Sequence, residues 1–554
     1  MFYDLPVKTK LIIMLSAMSA LFLVALDQTI IATALGAIVK EFDSFSSLGF
    51  VVTAYILTTT ITVPLAGKLS DMYGRKLLLI IGVVVFSLGS LLSGLASDIN
   101  WLIGWRALQG IGGGIITASV FTIVGDLFTP KERGKWQGLI GAVFGMSSVA
   151  GPLLGGWITD GQAIFGVTTD WRWAFFINVP IGIVASVLLF KYLPRNTKKH
   201  HYKLDYLGAG LITAALASIV LAVDNTEVVF KGLVGSGVGL GLIKSTLIGL
   251  SLILAVLFVL VERRAKQPIL PLKLLRSRNY SLIICASVLF GAAFLGTILY
   301  LTQFNQQVFG ASASEAGLML LPMIGGMMFS SITVGRLVAK YGIYKKFIMA
   351  GFMVSALSIL TLSVLQPDSP YWHEAVIMIF AGLGLGMSMP ILSLVAQNEF
   401  TSKDLGTATS SVQLFRNLGS TVGTALFAGL LTSGIIASVG DPNSNAYLQT
   451  IQRSATSSHF IQGELDADTL LRINAAKSKI NAEVDKQIAH LPTTTQNNIK
   501  QQLSSQQNDF NRQIITAFSD SLQHIFIINS SLMIISLFLL SFMKEKKLRD
   551  AKTK

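Results

Sequence analysis

The sequence predicts an all-α polytopic membrane protein with fourteen spans, and three observations predict it. The 554 residues are 52% apolar and only 13% charged, with a mean hydropathy of +0.63. Fourteen apolar runs are each long enough to cross a bilayer. The basic residues cluster in every second connecting loop. Soluble chains carry about 25% charged residues, so this composition excludes a soluble enzyme, a disordered scaffold and a disulfide-rich secreted domain. The single cysteine, Cys285, lies in an apolar run and rules out an internal disulfide.

In chain order the runs lie near 11–36, 48–67, 77–97, 101–123, 137–159, 173–193, 206–223, 244–262, 280–301, 315–335, 346–366, 374–397, 411–436 and 521–543. The first follows Lys8 and Lys10 as a signal peptide would, but it exceeds 20 residues with no convincing cleavage site, so it is expected to stay as the first helix. Short loops separate most of the others. The long interruption, 437–520, is polar, with Leu465, Leu470, Leu471, Ile473, Ile480, Val484 and Ile488 at helical spacing. It is expected to form a small helical hairpin outside the membrane.

Placing both termini in the cytoplasm puts 31 of the 43 Lys and Arg on the inner side and four on the short outer loops. Seven more lie in the long outer loop, and Arg106 lies within a span. That asymmetry is a strong positive-inside signal, from which long loops are exempt. Trp101, Trp105, Trp136, Trp157, Trp171, Trp173 and Trp372 all fall near span ends, as an interfacial belt requires. The net charge of +14 is therefore an inner-face feature suited to anionic lipid, not to nucleic acid.

A repeat divides the chain. The second span ends in Gly67-Lys68-Leu69-Ser70-Asp71-Met72-Tyr73-Gly74-Arg75-Lys76. The tenth ends in Gly335-Arg336-Leu337-Val338-Ala339-Lys340-Tyr341-Gly342, at a constant offset of 268. Two six-helix halves are expected, 1–204 and 279–554, with two inserted helices and an inner linker over 205–278. Repeated halves around a midplane site are the logic of secondary transporters.

Two charges stand out inside the apolar runs: Asp27 among the carboxylates and Arg106 among the bases. A charge near the bilayer centre costs about 2.5–3.5 kcal/mol on insertion scales, so each is a functional hypothesis. At 1.5 Å per residue, Asp27 lies roughly 24 Å from the inner end of its helix and Arg106 roughly 7 Å from the outer end of its own. They can share one polar network. Burial favours the neutral acid and a nearby arginine the carboxylate, so Asp27 is expected to bind and release a proton, with Arg106 modulating it. The plain alternative is a structural ion pair.

In 67–76, glycines permit a tight reversal, and Asp71 and Arg75 are expected to latch helices together, with Asp71 capping a neighbouring helix. Arg106-Ala107-Leu108-Gln109-Gly110-Ile111-Gly112-Gly113-Gly114 and Gly145-Met146-Ser147-Ser148-Val149-Ala150-Gly151-Pro152-Leu153-Leu154-Gly155-Gly156 allow close helix approach. Pro152 permits bending. Together these residues resemble the major facilitator superfamily: motif A at 67–76, motif B at 106–114 and the antiporter motif C at 145–156. Leu26-Asp27-Gln28-Thr29-Ile30-Ile31-Ala32-Thr33-Ala34-Leu35 resembles the first-helix motif of its fourteen-span drug:proton antiporter family 2, and residues 171–182 resemble that family's approach to helix six. The resemblance implies proton-driven export of hydrophobic or cationic drugs by alternating access. It implies the conformational latch at Gly67, Asp71, Gly74 and Arg75, and the antiporter role at Gly145, Gly151, Pro152, Gly155 and Gly156. The tenth and thirteenth spans hold no deep carboxylate, Glu315 lying only at the edge of the tenth, so monovalent or neutral cargo is expected over dications.

Gln28, Tyr55, Asn178, Phe290, Phe294, Met323 and Met327 are candidate cavity residues, since methionine and aromatic side chains suit adaptable apolar binding. No cofactor, metal or nucleotide is expected. The histidines lack ligand spacing, and Gly237–Thr246 only imitates a phosphate loop, with Ile243 where glycine should precede Lys244. The expected partners are a small-molecule substrate, protons and membrane lipid, for a monomer in the cell membrane. Export of one metabolite, lipid-like or tetracycline-like compound on the same fold is an alternative, as is a membrane sensor reading through 437–520. An embedded enzyme would need more converging polar groups than Asp27 and Arg106.

Overall fold

The computed structural model describes residues 5–42, 48–159, 161, 163–164, 167–194, 205–223, 226–265, 268–400, 404–439, 445–453, 470, 473, 477–490 and 492–548. Fourteen of its helices are long and apolar enough to cross a membrane. They are α1 (Val7–Phe42), α2 (Leu48–Tyr73), α3 (Arg75–Gly94), α4 (Ile99–Leu127), α5 (Pro130–Thr159), α6 (Asn178–Tyr192) and α7 (Tyr206–Val223). The others are α8 (Leu240–Arg264), α9 (Arg278–Gln307), α10 (Leu321–Tyr341), α11 (Lys345–Leu362), α12 (Tyr371–Glu399), α13 (Leu405–Val439) and α14 (Thr493–Ser541). A two-residue antiparallel ladder, Ala163–Ile164 with Val167–Thr168, is the strand structure between α5 and α6.

Local chemistry sets the helix ends. Asp98 caps α4 by accepting the backbone N–H groups of Asn100 and Trp101. Gly74 (φ 95°) turns the chain between α2 and α3, and Gly342 (φ 69°) does the same between α10 and α11. These are the two copies of the repeated Tyr-Gly, and the left-handed backbone there is the reason each is glycine.

The repeat is visible in packing. In the first half α1 packs on α5 and α6, α4 on α2 and α3, and α3 on α6. In the second, α9 packs on α13 and α14, α12 on α10 and α11, and α11 on α14. The halves meet where α2 lies on α13 and α5 on α10, and the inserted pair α7–α8 lies beside α2 and α13. Close glycine contacts fix the register. Gly110 and Gly114 of α4 press on Tyr55, Thr58, Thr59 and Thr62 of α2. Gly382 and Gly386 of α12 press on Met323, Met327 and Ser330 of α10. Tyr55 thus corresponds to Met323 at an offset of 268, and Arg106 to Met378 at 272.

The segment expected as an outer hairpin holds helices Ala446–Arg453 and Lys477–Ile488 against the extended start of α14. Tyr447 packs at a tilt on Phe510, ring centroids 5.3 Å apart, and Gln507 donates to the Tyr447 hydroxyl (3.0 Å) and to Asn481 (2.7 Å). Leu470, Ile473, Ile480 and Ile488 are buried there, while Leu465 and Leu471 lie outside the described residues, as does residue 204 at the first domain boundary.

Candidate functional site

The first half is organised around three buried polar side chains. Arg106 and Asp27 are each 1% exposed, and Gln109 is fully buried. Arg106 donates through Nη1 to Asp27 Oδ2 at 2.5 Å and to Gln109 Oε1 at 2.8 Å. Gln109 Nε2 donates to Asp27 Oδ1 at 2.8 Å, closing a three-membered ring of bonds, and Arg106 Nε donates to the Val51 carbonyl at 3.3 Å. The guanidinium lies 4.3 Å from the Tyr55 ring centroid and 5.7 Å from that of Phe175. Tyr55 in turn donates to the Val24 carbonyl at 3.3 Å. In a buried pair of this kind, losing one partner strands the other. Gln109 was not a sequence candidate. Its signal is its spacing, one turn from Arg106 on the same helix face.

The motif A residues join the two halves at the end of the molecule where α1 starts and α14 ends. Arg75 binds Asp71 and Ser70, and its Nε donates to Asp126 at 2.8 Å. Asp71 Oδ2 accepts the backbone N–H and the hydroxyl of Thr407, both at 3.0 Å, in the first turn of α13. A carboxylate of the first half therefore caps a helix of the second. Glycine is required at 67 and 406: a Cβ at Gly67 would strike Ser410, and one at Gly406 would strike Asp71 and Arg75. Nearby, Arg133 donates to the carbonyls of Gly125 (2.7 Å) and Gln397 (3.3 Å), while Gln397 donates to that of Phe121 (2.9 Å). Asp126, Arg133, Gln397 and Thr407 escape sequence reasoning because only the tertiary fold sets them there.

The motif C glycines lie where α5 meets α1 and α10. Gly145 faces Ile324 and Met327, and Gly151 faces Thr29, whose hydroxyl donates to the Ser147 carbonyl at 2.9 Å. Gly155 is buried and Gly156 half-buried. The helix runs unbroken through Pro152, whose side chain lies outside the described residues.

The seven candidate cavity residues are not gathered into one place. Tyr55 belongs to the Arg106 network, and Gln28 beside it is exposed. Asn178 donates to Ser90 at 2.9 Å, tying α6 to α3. Phe290 stacks on Phe294 at 5.6 Å and meets Phe352 of α11 edge to face at 5.8 Å. Met323 and Met327 pack against α12, and Met327 also reaches α5.

Two buried charges depart from the expectation that Asp27 and Arg106 stand alone. Arg416, eleven residues into α13, is 9% exposed and has no acidic partner or hydrogen-bond acceptor among the described residues. It faces Phe121 of α4 (5.8 Å) and Phe144 of α5 (5.7 Å), across the seam between the halves. Ring contacts at that range return about 0.5–2 kcal/mol, against about 2.5–3.5 kcal/mol for a charge at mid-bilayer. Glu374, one turn into α12, is 1% exposed. Its carboxyl has no hydrogen bond of good geometry, and the facing Asn305 amide is equally unpartnered.

Fourteen candidate spans in two packed halves with an inserted pair, a charged network inside and a carboxylate bridging the halves at one end define a multi-pass membrane transporter. The profile of the Major Facilitator Superfamily matches residues 17–424, and the chain belongs to that family. The multidrug transporter protein MdtP of Bacillus subtilis is 37% identical over 414 residues, covering 75% of this chain and 74% of its own length. Multidrug resistance protein 3 of the same organism is 33% identical over 428 residues, covering 77% and 80%. Among solved structures, the proton:xylose symporter XylE matches with a TM-score of 0.57 at 15% identity over 97% of both chains, a likeness of fold alone.

Proposed function

We propose that the protein is a proton-coupled antiporter that exports hydrophobic or cationic drugs and toxic compounds by alternating access. The observation that carries the reading is the sealed network of Asp27, Arg106 and Gln109: a carboxylate buried within the first half, held by one arginine and one amide. Protonating Asp27 removes half of its ion pair and frees Arg106, so proton binding changes how α1, α2 and α4 hold together. The names of the two Bacillus relatives support drug efflux on this fold.

In this reading the termini face the cytoplasm, the three-part division at 204/205 and 278/279 stands, and Asp71, Arg75 and the glycines 67 and 74 latch the cytoplasmic end. Gly145, Gly151, Pro152, Gly155 and Gly156 give α5 its close approach to α1 and α10. The pump works as a monomer on protons and a small molecule, with lipid around it and no nucleotide or cofactor. The test is ethidium efflux from everted vesicles energised by a pH gradient. Asp27→Asn is expected to abolish exchange while leaving folded protein in the membrane, and wild-type exchange by that variant overturns the proposal.

A further inference from the structure

Arg416 is a permanent charge in the wrong place for a structural residue. Five residues inside the span that begins near 411, at 1.5 Å per residue, it sits roughly 8 Å from the inner edge of a roughly 30 Å core. Its guanidinium crosses the seam to Phe121 and Phe144 of the other half. An arginine stays charged in proteins and offers five N–H donors in a fixed fork. None of the five has an acceptor among the described residues, whereas Arg106 spends its donors on Asp27, Gln109 and Val51. The surroundings are polar on one side. Gln413, one turn away, donates to Ser393 at 3.2 Å and leaves its Oε1 unpartnered, and the Oε1 of Gln397 is unpartnered as well. On the other side lie the two phenylalanine rings, 6.5 Å apart. Substrate sites of secondary transporters lie at the interface of the repeats, and Arg416 stands on that interface.

We infer that Arg416 is the anchor of a substrate site between the halves, and that it takes a hydrophobic organic anion: a carboxylate or sulfonate met by the guanidinium fork, with the apolar body against Phe121 and Phe144. The inference rests on the efflux reading but replaces its cationic cargo with a hydrophobic anion, so failed ethidium exchange by the wild type would count against cationic cargo and not against this site. Asp27 is already neutralised by Arg106, so the unsatisfied intramembrane charge on this seam is positive, and it repels a cationic drug while completing an anionic one. The anion supplies what the fold withholds, two oxygen acceptors for parallel N–H bonds.

A matched pair of fluorescent probes tests this: dansyl-undecanoic acid and dansyl-undecylamine, equal in fluorophore and chain and opposite in charge. Binding to the purified full-length protein in detergent is read from dansyl emission. Wild type is expected to hold the carboxylate more tightly than the amine by about tenfold or more, the scale of a charge-assisted hydrogen bond. Arg416→Gln should abolish that preference, lowering carboxylate affinity while amine affinity holds or rises. Arg416→Lys keeps the charge without the fork, so it should retain part of the preference, and it stands in if the Gln variant does not fold. Equal carboxylate affinity in wild type and either variant overturns the inference, as does a wild-type preference for the amine. Asp27→Asn should keep the carboxylate preference. If that variant also keeps proton-driven exchange, the coupling reading fails while the anion site stands.

Discussion

In the first half, the intramembrane charges satisfy one another: Asp27, Arg106 and Gln109 close a ring of hydrogen bonds with about 1% or less of each side chain exposed. In the second half, the matching positions are apolar, Met378 standing where Arg106 does and Met323 where Tyr55 does. The second half instead buries Arg416 and Glu374 separately, each without a counter-charge among the described residues. Two copies of one helix pattern have diverged into one half with an internal charge balance and another with open valences. A closed network suits switching between two protonation states, because adding one proton unbalances it. Open valences suit a ligand that arrives and leaves.

The comparison breaks most sharply on Arg106. Arg106→Leu strands a buried carboxylate and is expected to cost about 3–5 kcal/mol of stability in detergent. The double variant Asp27→Leu, Arg106→Met should recover most of that loss and remain inactive. Chemical unfolding of the purified variants checks both, and a loss below about 1 kcal/mol for Arg106→Leu would mean that the first half is not charge-balanced at all. Glu374 should behave differently. Replacing both members of an imperfectly bonded buried polar pair by apolar groups is expected to be neutral or stabilising, so Glu374→Leu combined with Asn305→Leu should show none of the loss that Arg106→Leu shows in the same measurement.

Much of this contrast is legible in the sequence only on one side. Fourteen spans, the repeat and the pair Asp27–Arg106 could be read because charge and apolar length are one-dimensional signals. Arg416 was hidden by its position, five residues inside the span that begins near 411 and close to a basic end, where it counts as flanking charge. Glu374 was hidden by standing at the first residue of its run. What distinguishes both is burial by neighbouring helices, which no local pattern carries. The latch was half legible: Asp71 and Arg75 stand in a motif, but Thr407, which Asp71 caps, is 336 residues away. The scattering of Phe290, Asn178 and Met323 into separate helix contacts has the same cause, since residue type alone does not say which face of a helix meets a cavity.

The latch sharpens the comparison from its other end. Asp71 has Ala339 as its repeat counterpart, so the cap on α13 is supplied by one half alone. Asp71→Asn weakens the bonds to Thr407 and Arg75 while Arg75 keeps Asp126. A loss of about 1.4 kcal/mol shifts a two-state equilibrium tenfold. Spin labels on α3 and α13 at the terminal end should therefore report a larger open population in this variant. An unchanged distance distribution would show that the close glycine packing, not the carboxylate, holds this end shut.

The smallest effect belongs to the far end of the first half, where Glu41 pairs with Arg172 at 2.6 Å and accepts from the Trp171 indole at 2.7 Å. Unlike the Asp27 network this pair is open to solvent, the Glu41 side chain being 41% exposed. The hydrogen bond from Arg172 holds the Glu41 carboxyl below its ordinary pKa, outweighing its slight burial. A depressed carboxylate contributes stability above its unfolded pKa, and that contribution is lost as pH falls through the lower folded value. Glu41→Gln should therefore lower the thermal midpoint slightly at neutral pH and not at all once acid has protonated the wild-type carboxyl. Solvent screening keeps the gap small. A gap as large as that of Arg106→Leu would erase the distinction between the sealed network inside the half and the wetted pair at its rim.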